Sequence, residues 1–293
     1  MQPILIIGKT GQLGQELEQI INSPEQKIVT VGRTEIDLTE KDKLRQLIEQ
    51  IQPKIIINAA AYTAVDKAEA EANLAYKINA ESPKIMAQLA QKLSAFLIHV
   101  STDYVFDGRK NFPYQETDST NPINVYGESK LAGEKAIKAA CKNYLILRTA
   151  WVYGNKGKGN FVKTMLKLGA ERDEIRVVAD QIGSPTWTRD LASAIANFIP
   201  HLNPEISGVY HYTNSGVASW YDLAVAIFEE AKILNFPIKV QRVIPITTSE
   251  YPTPAKRPAY SVLNCAKIKQ VLGTYPPHWR QSLREMLKQE LRS

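Results

Sequence analysis

Cysteine is almost absent from this chain. Cys141 and Cys265 are the only two in 293 residues, with neither a metal-like spacing nor the density of a disulfide framework. A disulfide scaffold and a cysteine-rich metal module are therefore excluded, and a reducing compartment is expected. Apolar runs long enough to cross a bilayer are missing too, and a strand-like run begins at Ile4 with no basic, cleavable leader before it. Lys and Arg are not collected into a run. The net charge of +6 is spread along the chain, which reads as a solvated basic surface and not as a nucleic-acid interface. No internal repeat or low-complexity tract occurs. What remains is the expectation of a soluble cytoplasmic protein, with 44% apolar residues to build a full core.

What is present is alternation. Continuously apolar, β-rich runs at Ile4–Ile7, Lys27–Gly32, Ile55–Asn58, Phe96–Val100 and Leu145–Leu147 are separated by helix-period stretches at Gln12–Ile21, Glu40–Ile51, Ser82–Leu93 and Val125–Ala140. This predicts βαβ units and a Rossmann-type, doubly wound parallel sheet, whose strands are apolar on both faces because helices cover both. Beyond about residue 155 the pattern loosens into Gly- and Pro-punctuated segments, with a helix over Ser219–Leu234 opened by a Ser219/Asp222 capping box. The expected division is a dinucleotide-binding domain over 1–155 and a smaller α/β substrate domain over 156–293, some of whose segments return to the first.

Gly8-Lys-Thr-Gly-Gln-Leu-Gly14 follows the first strand and opens the first helix. Glycines there permit a tight turn and close backbone approach, and unpaired N–H groups at a helix start attract a pyrophosphate. Gly8, Thr10, Gly11, Gln12, Leu13 and Gly14 are thus candidate nucleotide contacts; no Gly-Lys-Ser/Thr closes the loop, so it is not a Walker motif. After the second strand stands Arg33, where an acidic residue would grip an NAD ribose. This favours a 2′-phosphate and NADPH, with NADH possible and an ordinary exposed arginine the alternative. Asp37 and Leu38 are placed to flank an adenine, unless Asp37 is a local cap. Ala60, Ala61, Tyr62 and Thr63 follow the third strand, where small residues let a cofactor lie against the backbone.

Tyr126 and Lys130 lie four apart in a helical stretch and share one face, so the lysine ammonium can stabilise a phenolate. Ser101-Thr102-Asp103 ends the preceding apolar strand, where open α/β sheets put ligand-facing groups. A hydroxyl there can hydrogen-bond a carbonyl while Tyr126 donates its proton, unless Ser101 and Thr102 merely cap the turn. Together these groups read as a hydride-transfer site.

The same motifs carry a resemblance. From Gly8 to Pro258 the chain resembles the dTDP-4-dehydrorhamnose reductase family of extended short-chain dehydrogenases/reductases. The carrying stretches include Asn58-Ala-Ala-Ala-Tyr-Thr-Ala-Val-Asp-Lys-Ala-Glu69, Ser101-Thr-Asp-Tyr-Val-Phe-Asp107, Asn124-Val-Tyr-Gly-Glu-Ser-Lys130, Arg148-Thr-Ala-Trp-Val-Tyr153 and Tyr251-Pro-Thr-Pro-Ala-Lys-Arg-Pro258. The resemblance implies reduction of the C4 keto group of dTDP-4-dehydro-L-rhamnose to dTDP-L-rhamnose, the last step of dTDP-rhamnose biosynthesis. Tyr126 would then be the acid, Lys130 the ribose-holding cation and Thr102 a hydrogen-bond partner of the same oxygen. Thr102, Asp103, Trp151 and Arg257 are the implied substrate contacts, although Trp151 also suits a core and Arg257 a surface. Some family members form dimers around a magnesium ion held by carboxylates, and Glu16 matches one such position. The second ligand falls at Arg189, whose guanidinium offers only donors, so no metal is expected and the chain is a monomer or homodimer. Two alternatives share the fold: another nucleotide-sugar epimerase, dehydratase or reductase, and a non-catalytic subunit like the regulatory subunit of methionine adenosyltransferase.

Overall fold

The computed structural model describes residues 3–22 and 26–292. Ile4–Ile7 (β1), Gln12–Ile21 (α1), Ile28–Val31 (β2), Lys41–Ile51 (α2) and Ile55–Asn58 (β3) open it as an unbroken alternation. Short helices Val65–Ala68 (α3) and Ala72–Tyr76 (α4) then pass through a π-helical turn at Lys77–Glu81 into Ser82–Lys92 (α5). Phe96–Thr102 (β4), Val125–Ala140 (α6) and Tyr144–Thr149 (β5) follow. With Gly208–His211 (β10) these strands form one six-stranded sheet in the order β10-β5-β4-β3-β1-β2. Every pairing in it is parallel.

Strand alternation sends successive side chains to opposite faces, and both faces are apolar. Leu5, Ile7, Ile56, Leu97 and Ile146 pack with Leu44, Ile48, Met86 and Ile137 from α2, α5 and α6. On the other face Ile4, Ile6, Ile57, Ile98 and Leu147 meet Leu17 of α1 and, from Thr188–Phe198 (α8), Leu191 and Ile195. Each such side chain contributes about 1.5–3 kcal/mol by leaving water.

The remaining elements build a second core over the carboxyl ends of the strands. Short pairs join Val152–Tyr153 (β6) to Thr186–Trp187 (β9) and Ile182–Gly183 (β8) to Ala218–Ser219 (β11), while Glu174–Val178 (β7) runs parallel to Arg242–Ile246 (β12). Phe161–Glu171 (α7), Trp220–Ile233 (α9) and Trp279–Glu290 (α11) close around Val162, Trp187, Leu223, Ile227, Trp279 and Leu283. The Ser219/Asp222 capping box opens α9, with Ser219 Oγ accepting from Asp222 N–H at 2.9 Å. Strand β10, the edge of the first sheet, and the helices α8 and Ala266–Leu272 (α10) that pack on that side of it all lie beyond residue 155.

Two strands, β4 and β5, run two residues past their expected carboxyl ends, while β2 is shorter than expected by one residue at each end and β5 starts one residue early. β4 continues through Ser101 and Thr102 because β5 extends to Thr149 and supplies partners at Arg148 and Thr149. Apolar runs mark where strands are buried, not where pairing stops, so these polar ends were hidden. Among the described residues no helix is long and apolar enough to cross a membrane.

Candidate active site

Sheet order reverses between β1 and β3, and a cleft of about 920 Å³ opens at the carboxyl ends of the strands there. Gly8 adopts φ +113, and a Cβ on it would come within 2.9 Å of Ala59 C and Ala60 N, so the loop abuts the exit of β3. Gly11 caps α1 without a side chain, leaving its first N–H groups open to the cleft. Thr10, Gly11, Gln12 and Leu13 line it. Gly14 does not; a Cβ there would strike Gly8 O at 2.0 Å, so its bareness seats the helix against the loop. This cradle fits a dinucleotide pyrophosphate.

Arg33, Asp37 and Leu38, which follow β2, line the cleft, as do Ala60, Ala61 and Thr63, which follow β3. Asp37 accepts from Thr39 N–H and Thr39 Oγ1 at 2.8 and 2.9 Å, which holds its carboxyl below the usual range; it is a local cap as well as a lining group. Tyr62 is not among the lining residues: its hydroxyl donates to Glu71 (2.7 Å) and its N–H to Asn79 Oδ1 (2.9 Å).

Thr102, Tyr126 and Lys130 all line one wall. Helix α6 is set there by Asn124, which accepts from Gly127 N–H (2.8 Å), and by Gly127, where a Cβ would lie 2.2 Å from Tyr104 O. Close approach of helix and turn is thus written into one glycine. Burial raises the Tyr126 phenol to about 12; the Thr102 hydroxyl draws it down and Asp103 adds to the rise. It is therefore a protonated phenol at neutral pH. Burial lowers Lys130 to about 8, with Glu134 opposing. Lys130 Nζ donates to Val100 O at 2.6 Å and stands 3.2 Å from His99 Nε2.

Ser101 also lines the cleft, but its hydroxyl donates to Glu134 Oε1 (2.6 Å), so of the two hydroxyls only Thr102 faces the phenol. Asp103 accepts from Thr102 Oγ1 (2.9 Å), and burial pushes its carboxyl up to about 6. Trp151 holds φ 50, a left-handed conformation rare for a large residue, and stacks flat on Trp220 with centroids 3.6 Å apart. A Cβ on Gly183 would lie 2.5 Å from the Trp151 ring, so β8 presses it from another side. Trp220 went unnoticed in the sequence, as did Lys158 and Asn160, which also line the cleft. Asn160 Nδ2 donates to Gln12 Oε1 at 2.8 Å and so ties the second core to the glycine loop. A cation set among the glycines of Gly154–Gly159 was the available signal.

Arg257 is not among the lining residues. Its guanidinium makes a bidentate pair with Asp66 (3.1 and 2.7 Å) and donates to Thr253 Oγ1 and Ala255 O. Its partner here is an intramolecular carboxylate, which joins two of the motif stretches across the fold. Arg189 Nη1 stands 3.8 Å from Glu16 Oε2, an otherwise unpartnered buried oxygen, and burial raises the Glu16 carboxyl. Among the described residues no group of three or more His, Cys, Asp or Glu is arranged to hold a metal.

Residues 1–292 match the family described as the RmlD substrate binding domain. The dTDP-4-dehydrorhamnose reductase of Escherichia coli K12 is 44% identical over 98% of this chain and 97% of its own. The chain belongs to the dTDP-4-dehydrorhamnose reductase family. A solved family member from Bacillus anthracis, in complex with NADP, superposes with a TM-score of 0.91 at 41% identity, covering 98% of this chain and 99% of that one. Another, from Clostridium acetobutylicum, gives 0.92 at 41% identity over 99% and 100%. The α/β Rossmann fold read from the alternation is the fold of this family.

Proposed function

We propose that this protein reduces the C4 keto group of dTDP-4-dehydro-L-rhamnose to dTDP-L-rhamnose with NADPH. The observation that carries the reading is the convergence of Thr102, Tyr126 and Lys130 on one wall of a cleft whose other end is a glycine cradle with Arg33 beside it. Gly8, Gly11, Gln12 and Leu13 would hold the pyrophosphate, and Arg33 a 2′-phosphate. When bound, NADPH supplies hydride to the sugar carbon. Tyr126 holds the proton that O4 takes as its charge develops, Thr102 positions that oxygen, and Lys130 holds the nicotinamide ribose and steadies the phenolate left behind. Asp103 and the Trp151–Trp220 pair are the sugar-facing groups. The reaction belongs to a reducing cytoplasm, where two free cysteines persist.

The test is loss of reduced-nicotinamide absorbance by purified protein, with dTDP-4-dehydro-L-rhamnose and with its dTDP-4-keto-6-deoxyglucose precursor as control. Oxidation of NADPH with the rhamnose precursor alone, giving dTDP-L-rhamnose, is expected. A purified protein that carries NAD and never exchanges it would favour a 4-epimerase or dehydratase instead.

A further inference from the structure

Beneath Lys130 runs a buried chain of hydrogen-bonding groups whose donors and acceptors suit only one protonation state of the lysine. Ala60 N–H donates to Asn58 Oδ1 at 3.2 Å, which turns the Asn58 amide so that Nδ2 meets His99 Nδ1 at 3.0 Å. An amide nitrogen only donates, so Nδ1 accepts, and the single proton of a neutral imidazole stands on Nε2. Nε2 faces Lys130 Nζ at 3.2 Å. A neutral amine accepts from that N–H, whereas an ammonium meets it donor to donor. His99 and Asn58 are both fully buried, so water does not repair the mismatch. The ring does not escape by charging, since burial and the neighbouring lysine hold its pKa well below the usual value.

We infer that His99, oriented by Asn58, is a positioning residue that sets the pH at which Lys130 gives up its charge. The inference rests on the reductase reading for its kinetic consequence and on the geometry alone for its structural one. Other titratable groups around Lys130 are Glu134 one turn along α6 and Tyr126 one turn back; β3 presents uncharged Asn58, and Arg148 of β5 is held by Glu134. Burial is the main cause that disfavours the charged lysine and Glu134 favours it, so of these neighbouring side chains only the His99 contact works with burial against the charge. The Tyr126 phenol titrates far too high to act in the same range.

The decisive variant is Asn58→Asp, which keeps the size of the side chain and its acceptor for Ala60 N–H. A carboxylate accepts from Nδ1–H, moves the imidazole proton to that nitrogen, and leaves Nε2 free to accept from the ammonium. The alkaline limb of kcat against pH, and of NADPH affinity against pH by fluorescence titration, should then move up by about one unit or more. A carboxylate acting through space would raise both limbs whether or not the imidazole is present. The double variant Asn58→Asp/His99→Phe separates the two cases: its limbs should show no such rise over those of His99→Phe. The pH dependence of apoprotein melting reads the same titration without cofactor or substrate. Wild type should gain stability as pH rises from about 8, and in Asn58→Asp that gain should begin about one unit or more higher and be smaller. An alkaline limb and a melting profile unchanged in folded Asn58→Asp, or an equal rise in the absence of His99, would overturn the inference. A wild-type protein inactive on the sugar would count against the reductase reading, while the melting profiles would still decide the role of His99.

Discussion

Two buried polar networks meet α6 one turn apart, and β4 supplies both, His99 to one and Ser101 to the other. At Glu134 the donors and acceptors close. Arg148 Nε and Nη2 donate to its two oxygens at 2.9 and 2.7 Å, and Ser101 adds a third bond at 2.6 Å. His211 beyond them donates Nδ1–H to Tyr114 O (3.1 Å) and turns Nε2 toward Arg148 Nη1 (3.5 Å). At Lys130, by contrast, His99 presents a donor to a donor whenever the lysine is charged. A network that closes holds the sheet to its helix. One that does not close stores an imbalance, and such imbalances gather at sites that act.

The difference can be broken from either side. The largest effect is expected from Tyr126→Phe, which removes the proton that the Lys130 network serves. Turnover should fall by about two to four orders of magnitude with melting temperature and NADPH affinity preserved, and an undiminished rate would remove Tyr126 as the acid. Breaking the closed network should do the reverse. Glu134→Ala strands the Arg148 guanidinium, 2% exposed, and should cost about 3–5 kcal/mol in urea unfolding. A neutral result there would mean that water enters the site.

Lys130→Met sharpens the contrast within one residue. It should lower both turnover and NADPH affinity, about tenfold or more each, while leaving the apoprotein no less stable at pH 7. The sign follows from the folded pKa of about 8 lying below the ordinary 10.5: the folded state releases this proton more readily than the unfolded one. Wild type is therefore penalised below about pH 8 and recovers as pH rises toward 10.5, and the methionine variant should lack that slope in melting temperature. The smallest effect lies outside both networks. Arg33→Ala should reduce the preference for NADPH over NADH by about tenfold, by weakening one charge-assisted contact to the 2′-phosphate. An unchanged preference would assign that phosphate to another group.

Much of the fold was legible because parallel strands covered on both faces must be apolar throughout, and Ile4–Ile7 and Ile55–Asn58 are buried along their whole length. The glycine loop and the Tyr126–Lys130 pair were legible for a related reason: backbone approach demands glycine, and helical spacing puts the two side chains on one face. Trp220 was not legible, because its partner Trp151 stands far away in sequence and only packing of α9 over the strand ends stacks the two rings. The partner of Arg257 was not legible for the same reason. Asp66, which takes its guanidinium, is a neighbour only in the folded chain.

The amino-acid order by itself determined the layers and the glycine loop, and it marked Tyr126 as the proposed acid, since each rests on local periodicity or on a residue type no other can replace. Tertiary structure alone decided which of Ser101 and Thr102 faces the phenol, where Arg257 is bound, and that an asparagine and a histidine from adjacent strands end on Lys130. Those outcomes depend on strand register and on which buried donor meets which acceptor, and hydrogen-bond partners far apart in sequence leave no periodic trace along it.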